Sequence, residues 1–354
     1  MTTLISFIFI LGVLVFVHEL GHFLAAKSVG MKVEKFYLGF NLFGLGIKKQ
    51  IGETEYGIGL FPLGGYVKVA GIIDESMDDS STNEPYEYQS KNFFQQIFFA
   101  SAGVIMNLLL ATVIFTGITM VMGVGEADPK PIVGQVIPDY PAEELGLQEG
   151  DVITAINGIA VSSWEEMTEI VHNLPNTDIQ VSWKSGAEVF TDSVRTIASK
   201  MPVENGIEEL GMIGIGPRVI IHDAGFIQAI QEGLFKTGYW LQITFSSVKM
   251  IFTGQAAFSE IGGPVMIAKL AGESARAGLL TLFNFMAIIS VNLALLNILP
   301  IPGLDGGHII VSIIEGVSRR KLPTRVKLGI LQVGMLFLLA VFALVMFNDI
   351  ARLF

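Results

Sequence analysis

LISFIFILGVLVFVHELGHFLAA, residues 4–26, is almost unbroken hydrocarbon, interrupted near its end by three ionisable side chains, His18, Glu19 and His22. A helix needs roughly 20 apolar residues to cross a bilayer core, so the stretch is long enough to span one. Charges in lipid are costly, and ionisable groups inside an apolar span are read first as functional. His18-Glu19-Leu20-Gly21-His22 matches H-E-x-x-H. On a helix, residues four apart share a face, so both imidazoles can reach one metal ion with the glutamate beside it. The bland alternative, a buried polar cluster tying helix to helix, leaves that cost without a return. Met1-Thr2-Thr3 carries no positive charge and no small-residue cleavage site follows the run, so the run is expected to stay as a helix.

The remainder of the chain suits a lipid environment. Of 354 residues, 51% are hydrophobic and 16% charged, against about 25% charged in soluble domains, and the mean hydropathy is +0.59. Three further stretches are long enough to span: Phe93 to Met122, Leu279 to Leu299 and Leu328 to Phe347. The third of these four spans carries Asn284, Asn292 and Asn297, amides expected to face protein or a cavity rather than lipid. Gly103 and Asn107, one turn apart on the second span, read as helix packing. The net charge of −11 is uneven: between Gly125 and Gly278 twenty acidic residues face nine basic ones, as in a water-soluble acidic domain set between spans. Nothing basic enough for nucleic acid is present. The absence of cysteine excludes disulfides, thiolate-bound zinc and thiol catalysis.

The expected order is a transmembrane helix over 1–26, a cytoplasmic-side loop over 27–92, a second helix over 93–123, an extracytoplasmic domain over 124–222, an amphipathic linker region over 223–278, a third helix with Leu304-Asp305-Gly306 over 279–308, a cytoplasmic basic loop over 309–327 and a fourth helix over 328–350. Within the first loop, Glu53 to Val69 has strand-like runs on both sides of Pro62-Leu63-Gly64-Gly65 and predicts a membrane-associated β-hairpin. Asp74 to Asn92 is polar and acidic and reads as an exposed linker. Arg319-Arg320-Lys321, with Arg325 and Lys327, and the seven lysines between Lys27 and Lys91 place those loops in the cytoplasm and the N-terminus outside.

A zinc site needs a third protein ligand and an open position. Ala25 and Ser28 stand where many soluble zinc proteases have glycine and histidine. Glu34 and Glu53 are candidates in the loop; Asp305 is the better one, at the end of an apolar span where Pro300, Pro302 and Gly303 break the helix. Parity agrees, because the third span runs inward and ends Asp305 on the side of His22. With one zinc ion held by His18, His22 and Asp305, Glu19 takes a proton from the attacking water and passes it to the leaving amine. Asn297 can donate to the oxyanion or to the substrate backbone, and Asn292 joins it as a candidate; both are equally readable as ties between helices. A helical substrate must unwind to be cut, and a strand edge can hold the extended form. Tyr56, Gly57, Ile58, Gly64 and Gly65 of the hairpin are the candidates for that edge. His308 reads as bonded to solvent or backbone, with a place behind the metal as the alternative; His172 and His222 read as surface residues.

Together these residues resemble the site-2 protease family of intramembrane zinc proteases, in particular the bacterial RseP-like branch. The resemblance rests on His18 to His22, Phe61 to Lys68, Gly103 to Asn107, Ile261-Gly262-Gly263-Pro264 and Asn292 through Gly306. It implies a polytopic α-helical membrane protein with about four transmembrane helices, a membrane-associated β-hairpin and an inserted α/β PDZ domain, in the bacterial inner membrane with its active site toward the cytoplasm. Zinc on His18, His22 and Asp305, catalysis by Glu19 and substrate binding by Asn297 and the hairpin follow from it. The acidic domain is similar to a PDZ domain through Pro141 to Asp151 and Ala155-Ile156-Asn157-Gly158, with Gly211-Met212-Ile213-Gly214-Ile215 as the loop that would bind a peptide C-terminus. The implied task is regulated intramembrane proteolysis of transmembrane substrates such as an anti-sigma factor or a remnant signal peptide.

Overall fold

Helices over the apolar stretches and strands between them divide into two units, Met1–Val121 with Gly225–Phe354, and Met122–Ala224. The computed structural model describes residues 2–40, 46–72, 82, 84–203, 206–255 and 262–352. Asp74 to Ser81, Asn83 and Ile261 of the stretches named above lie outside the described residues.

The first unit opens with α1 (Thr2–Ser28), followed by β1 (Val33–Phe40), β2 (Gly46–Ile51), β3 (Thr54–Gly59), β4 (Phe61–Val69) and α2 (Phe93–Met122). Asn92 starts α2 with a reciprocal cap: its Oδ1 accepts the Gln95 backbone N–H at 3.0 Å while Gln95 Oε1 accepts the Asn92 backbone N–H at 3.2 Å, satisfying two donors that a helix start leaves open. The second unit holds β5 (Val124–Ala127), β6 (Val133–Val136), α3 (Pro141–Glu144), β7 (Val152–Ile156), β8 (Ile159–Ala160), α4 (Trp164–His172) and β9 (Asp178–Ser185). It continues through β10 (Glu188–Arg195), β11 (Ile197–Val203), β12 (Gly206–Met212), β13 (Ile215–Pro217) and β14 (Val219–His222). The chain returns to the first unit with α5 (Phe226–Phe252), α6 (Pro264–Ala277), α7 (Leu279–Ile298), α8 (Asp305–Ser318) and α9 (Thr324–Ala351).

Among the described residues, α1, α2, α7 and α9 are the four helices long and apolar enough to cross a membrane. Ile10 and Leu14 of α1 bury against Leu282 and Met286 of α7 and Ala271 of α6, while Ala111 and Phe115 of α2 bury against Ala287 and Val291 of α7. Both faces of α7 are therefore occupied, and it forms the centre of the unit. In the second unit a sheet of order β10-β9-β7-β8 packs Ile153, Ile156, Val181 and Trp183 against Met167 and Val171 of α4. That core belongs to this unit alone.

Three expectations are corrected. The segment Glu53 to Val69 is not a hairpin: the first sheet has the order β2-β3-β1-β4, with β3 parallel and β4 antiparallel to β1. Pro62 to Gly65 lies inside β4, where the register against β1 shifts between Leu38 and Phe40, so the turn signal is spent on a bulge. The glycine-rich pattern is the same for both structures locally, and only pairing with the distant β1 separates them. Residues 309–327 are not all loop, because α8 runs to Ser318; its apolar residues recur at helical rather than strand or loop spacing. The linker read over Asp74 to Asn92 ends in a packed turn, with Glu87 3% and Tyr88 8% exposed. Tyr88 packs on Phe99 of α2 and its carbonyl accepts the Gln96 amide.

Candidate metal centre

His18 and His22 lie one helical turn apart on the buried face of α1. The third group comes from the other end of the chain. After α7, Pro300 and Pro302 supply no amide donor and forbid a continuous helix, and the chain reverses over Leu299 to Leu304 before α8 starts at Asp305. The reversal is tight enough that a Cβ on Gly306 would sit 2.1 Å from the Leu299 carbonyl oxygen, so only glycine follows Asp305 without displacing it.

Asp305 Oδ2 is 3.2 Å from His18 Nε2, Asp305 Oδ1 is 3.3 Å from His22 Nε2, and the two Nε2 atoms are 3.3 Å apart. Four ligands at about 2.0–2.1 Å around a tetrahedral zinc define edges of about 3.3 Å. The two imidazole nitrogens stand at one such edge, each has a different Asp305 oxygen at a similar distance, and one ligand atom from each of the three residues lies within 4.8 Å of the other two, a grouping that fits one ion. The donor chemistry fits as well, since two imidazoles and a carboxylate are zinc ligands, and Asp305 Oδ2 is buried with no hydrogen bond of its own.

The imidazoles are held from behind by α2. His22 Nδ1 donates to the Phe99 carbonyl at 2.9 Å, and the Asn107 amide lies 3.2 Å from His18 Nδ1. Gly103 sits between these two residues, and a Cβ there would come 2.5 Å from His22 Nε2 and 2.6 Å from His18 Cε1. Phe99, Gly103 and Asn107, four residues apart in turn, form one stripe facing the histidines. Asn107 Oδ1 is buried without a partner. Turning that amide by half a rotation would bring Oδ1 to His18 Nδ1–H, leaving Nε2 free of its proton for a metal. Sequence reading took Gly103 and Asn107 as helix packing; an amide inside an apolar span was the available signal.

A cavity of about 520 Å³ opens on this cluster. It is lined by His18, Glu19 and His22 of α1, Gly65 to Lys68 of β4, Asn297, and Asp305 and His308 of α8. Asn297 Nδ2 is 3.4 Å from His18 Nε2. Other candidates lie elsewhere. Asn292 Oδ1 accepts the Thr244 hydroxyl of α5 at 2.6 Å and does not line the cavity, a contact that matches the tie between helices given above as its other reading. Tyr56, Gly57 and Ile58 are corrected: they lie in β3, whose two sides are taken by β1 and β2, which leaves no open edge for a substrate strand. The edge beside the cavity is β4, with Gly64 and Gly65. In the second unit Gly211 to Ile215 and α4, including His172, line a small cavity of their own.

The sequence pattern of peptidase family M50 matches residues 6–341. A protein of Clostridium perfringens named as a zinc metalloprotease is 35% identical over 340 residues, covering 95% of each chain. One of Clostridium acetobutylicum with the same description is 33% identical, covering 96% of this chain and 94% of its own. A third, from Nostoc, is 34% identical over 95% of this chain and 93% of its own. Among solved structures, the PDZ domain of an SdrC-like protein of Listeria monocytogenes covers 27% of this chain and 93% of its own, with 25% identity and a TM-score of 0.21.

Proposed function

This chain belongs to peptidase family M50 and is a zinc metalloprotease of the site-2 type, and on that premise we propose that it cuts transmembrane segments of other membrane proteins at a single zinc ion held by His18, His22 and Asp305. The four bilayer-length apolar helices among the described residues make it a multi-pass membrane protein. The observation that carries the reading is the grouping of His18 and His22 of α1 with Asp305 of α8, each offering a ligand atom within 4.8 Å of the others. Bound there, zinc would supply a Lewis acid that polarises the scissile carbonyl and activates water.

The chain's own residues do the rest. Glu19 lines the same cavity and serves as general base toward the attacking water, then as acid toward the leaving amine. Asn297 donates its amide to the substrate carbonyl. A substrate helix has its amides already bonded and must unwind; β4, an edge strand lining the cavity through Gly65 to Lys68, takes the extended segment by strand addition. Gly65 lets β4 itself sit close to α1, since a Cβ there would meet Val15 Cγ1 at 2.9 Å and Glu19 Cγ at 3.2 Å. His308, one turn after Asp305, lines the cavity and orients water.

The loops rich in lysine and arginine support an active site toward the cytoplasm and a second unit on the other side of a bacterial inner membrane. That unit we read as a PDZ domain from its Pro141 to Asp151 and Ala155 to Gly158 motifs. Gly211 to Ile215 beside α4 would receive a peptide C-terminus, so the unit selects substrates already trimmed by another protease. Anti-sigma factors and remnant signal peptides have that form, as regulated intramembrane proteolysis requires.

The test is a reconstituted cleavage assay with metal analysis on the wild type, Glu19→Gln and Asp305→Ala. Glu19→Gln keeps zinc and loses turnover, while Asp305→Ala loses most of both. Full activity in either variant overturns the assignment.

A further inference from the structure

The helix that begins with Asp305 has an outer face that nothing in the described structure covers. On α8, Ile310, Ile313, Ile314 and Val317 are 40%, 36%, 46% and 79% exposed, and their spacing puts them in one stripe. The opposite face is seated: Ser312 is buried and shares a hydrogen bond with the Tyr88 hydroxyl at 3.1 Å, and Glu315 pairs with Lys327 at 2.7 Å. Immediately after the helix come Arg319, Arg320 and Lys321, then Arg325 at the start of α9, all exposed. Among the described residues Arg319, Arg320 and Arg325 are in no ion pair, and Lys321 donates to the Gln89 carbonyl.

An uncovered apolar stripe that runs into a cluster of cations has the chemistry of a helix lying in the membrane interface. A neutral lipid would leave the cations unmatched, and free phosphate would leave the stripe in water. We propose that anionic phospholipid seats α8, its acyl chains against Ile310, Ile313, Ile314 and Val317 and its phosphate on Arg319, Arg320, Lys321 and Arg325. Asp305 is the first residue of the seated helix, so the lipid helps hold that carboxylate at its place beside His18 and His22. The binding claim stands on the membrane helices alone; only the effect on turnover rests on the protease reading.

The chain has no native cysteine, so Val317→Cys in the full-length protein accepts a single fluorescent donor. In vesicles of phosphatidylcholine mixed with phosphatidylglycerol, energy transfer to a headgroup-labelled lipid reports which lipid gathers there. A basic side chain near an anionic surface is worth about fivefold in binding. Phosphatidylglycerol is therefore expected to be enriched near residue 317 by at least about tenfold over bulk, with the enrichment falling as salt rises. Changing Arg319, Arg320, Lys321 and Arg325 together to Gln abolishes the enrichment, whereas Arg319→Lys, Arg320→Lys and Arg325→Lys together preserve it. Equal transfer from both lipids, an unchanged preference in the Gln variant, or full displacement by inorganic phosphate overturns the proposal. The same measurement on Glu19→Gln gives the wild-type preference. Enrichment without cleavage in any vesicle would count against the protease reading alone, and cleavage without enrichment against this proposal alone.

Discussion

The Asn107 amide of α2 lies 3.2 Å from Nδ1 of His18 on α1, on the side of the ring away from Asp305. It is the contact that fixes which ring nitrogen of His18 faces the carboxylate. Partners behind metal-bound imidazoles set ring orientation and tautomer, and losing one costs roughly 10–100-fold in metal affinity or activity.

Asn107→Leu is thus expected to bind zinc roughly 10–100-fold more weakly than the wild type. A titration against a competing chelator measures it. Wild-type affinity in this variant would mean that Asn107 only packs.

Gly103→Ala carries the complementary expectation, because the added methyl must enter the space between the two imidazoles. Overpacking costs about 1–3 kcal/mol, and here the cheapest relief is movement of a ligand. Zinc content and cleavage should fall together. Gly117→Ala on the same helix, where nothing lies within 4 Å of the new Cβ, should leave both unchanged.

In the second unit, Asp128 accepts the Lys130 amide at 3.0 Å and the Arg218 guanidinium. These hold its carboxyl below the ordinary carboxylate range, the Lys130 amide first and Arg218 next. A lowered folded-state value means that protonation favours the unfolded form. The contribution is complete above about pH 4 and disappears as the pH falls through the folded-state value. The protection factors of the β14 amides, the ratio of intrinsic to observed exchange at each pH, should therefore fall on acidification in the wild type. In Asp128→Asn they should already be lower at neutral pH and depend less on acid.

Asp349 near the end of α9 accepts the amides of Gly263, Val265 and Met266 at 2.9, 2.9 and 3.2 Å. It caps α6, whose first turn has no side-chain cap of its own. Removing a cap costs about 0.5–2 kcal/mol, so Asp349→Ala should melt at a lower temperature in detergent while keeping its zinc. A loss of zinc without a change in melting would refute the capping role.

Local periodicity carried much of the architecture. The helical spacing of His18 and His22, and the apolar lengths that became α1, α2, α7 and α9, needed no partner to be legible. The reversal at Pro300 and Pro302 that presents Asp305 was legible too, because proline acts on its own residue and the one before it. The β-strands were harder. Gly64 and Gly65 carry the same local preferences in a turn and in a bulge, and β1 decides between them by pairing with β4 on one side and β3 on the other. Asn292 and Asn297, one turn and a half apart on α7, are indistinguishable as amides in an apolar run; one meets Thr244 of α5 and the other His18.

From the amino-acid order alone came the spans and the paired histidines with their glutamate, because each depends on spacing along a single segment, and the choice of Asp305, which rests on a proline break and on the number of spans that precede it. The tertiary structure alone decided that β4 rather than β3 has the free edge, that the Phe99, Gly103 and Asn107 stripe supports the imidazoles, and that α8 carries Asp305 on a helix with an uncovered face. Those relations are between segments tens to hundreds of residues apart, and contact energies at that range depend on which surfaces meet, a quantity no local pattern contains.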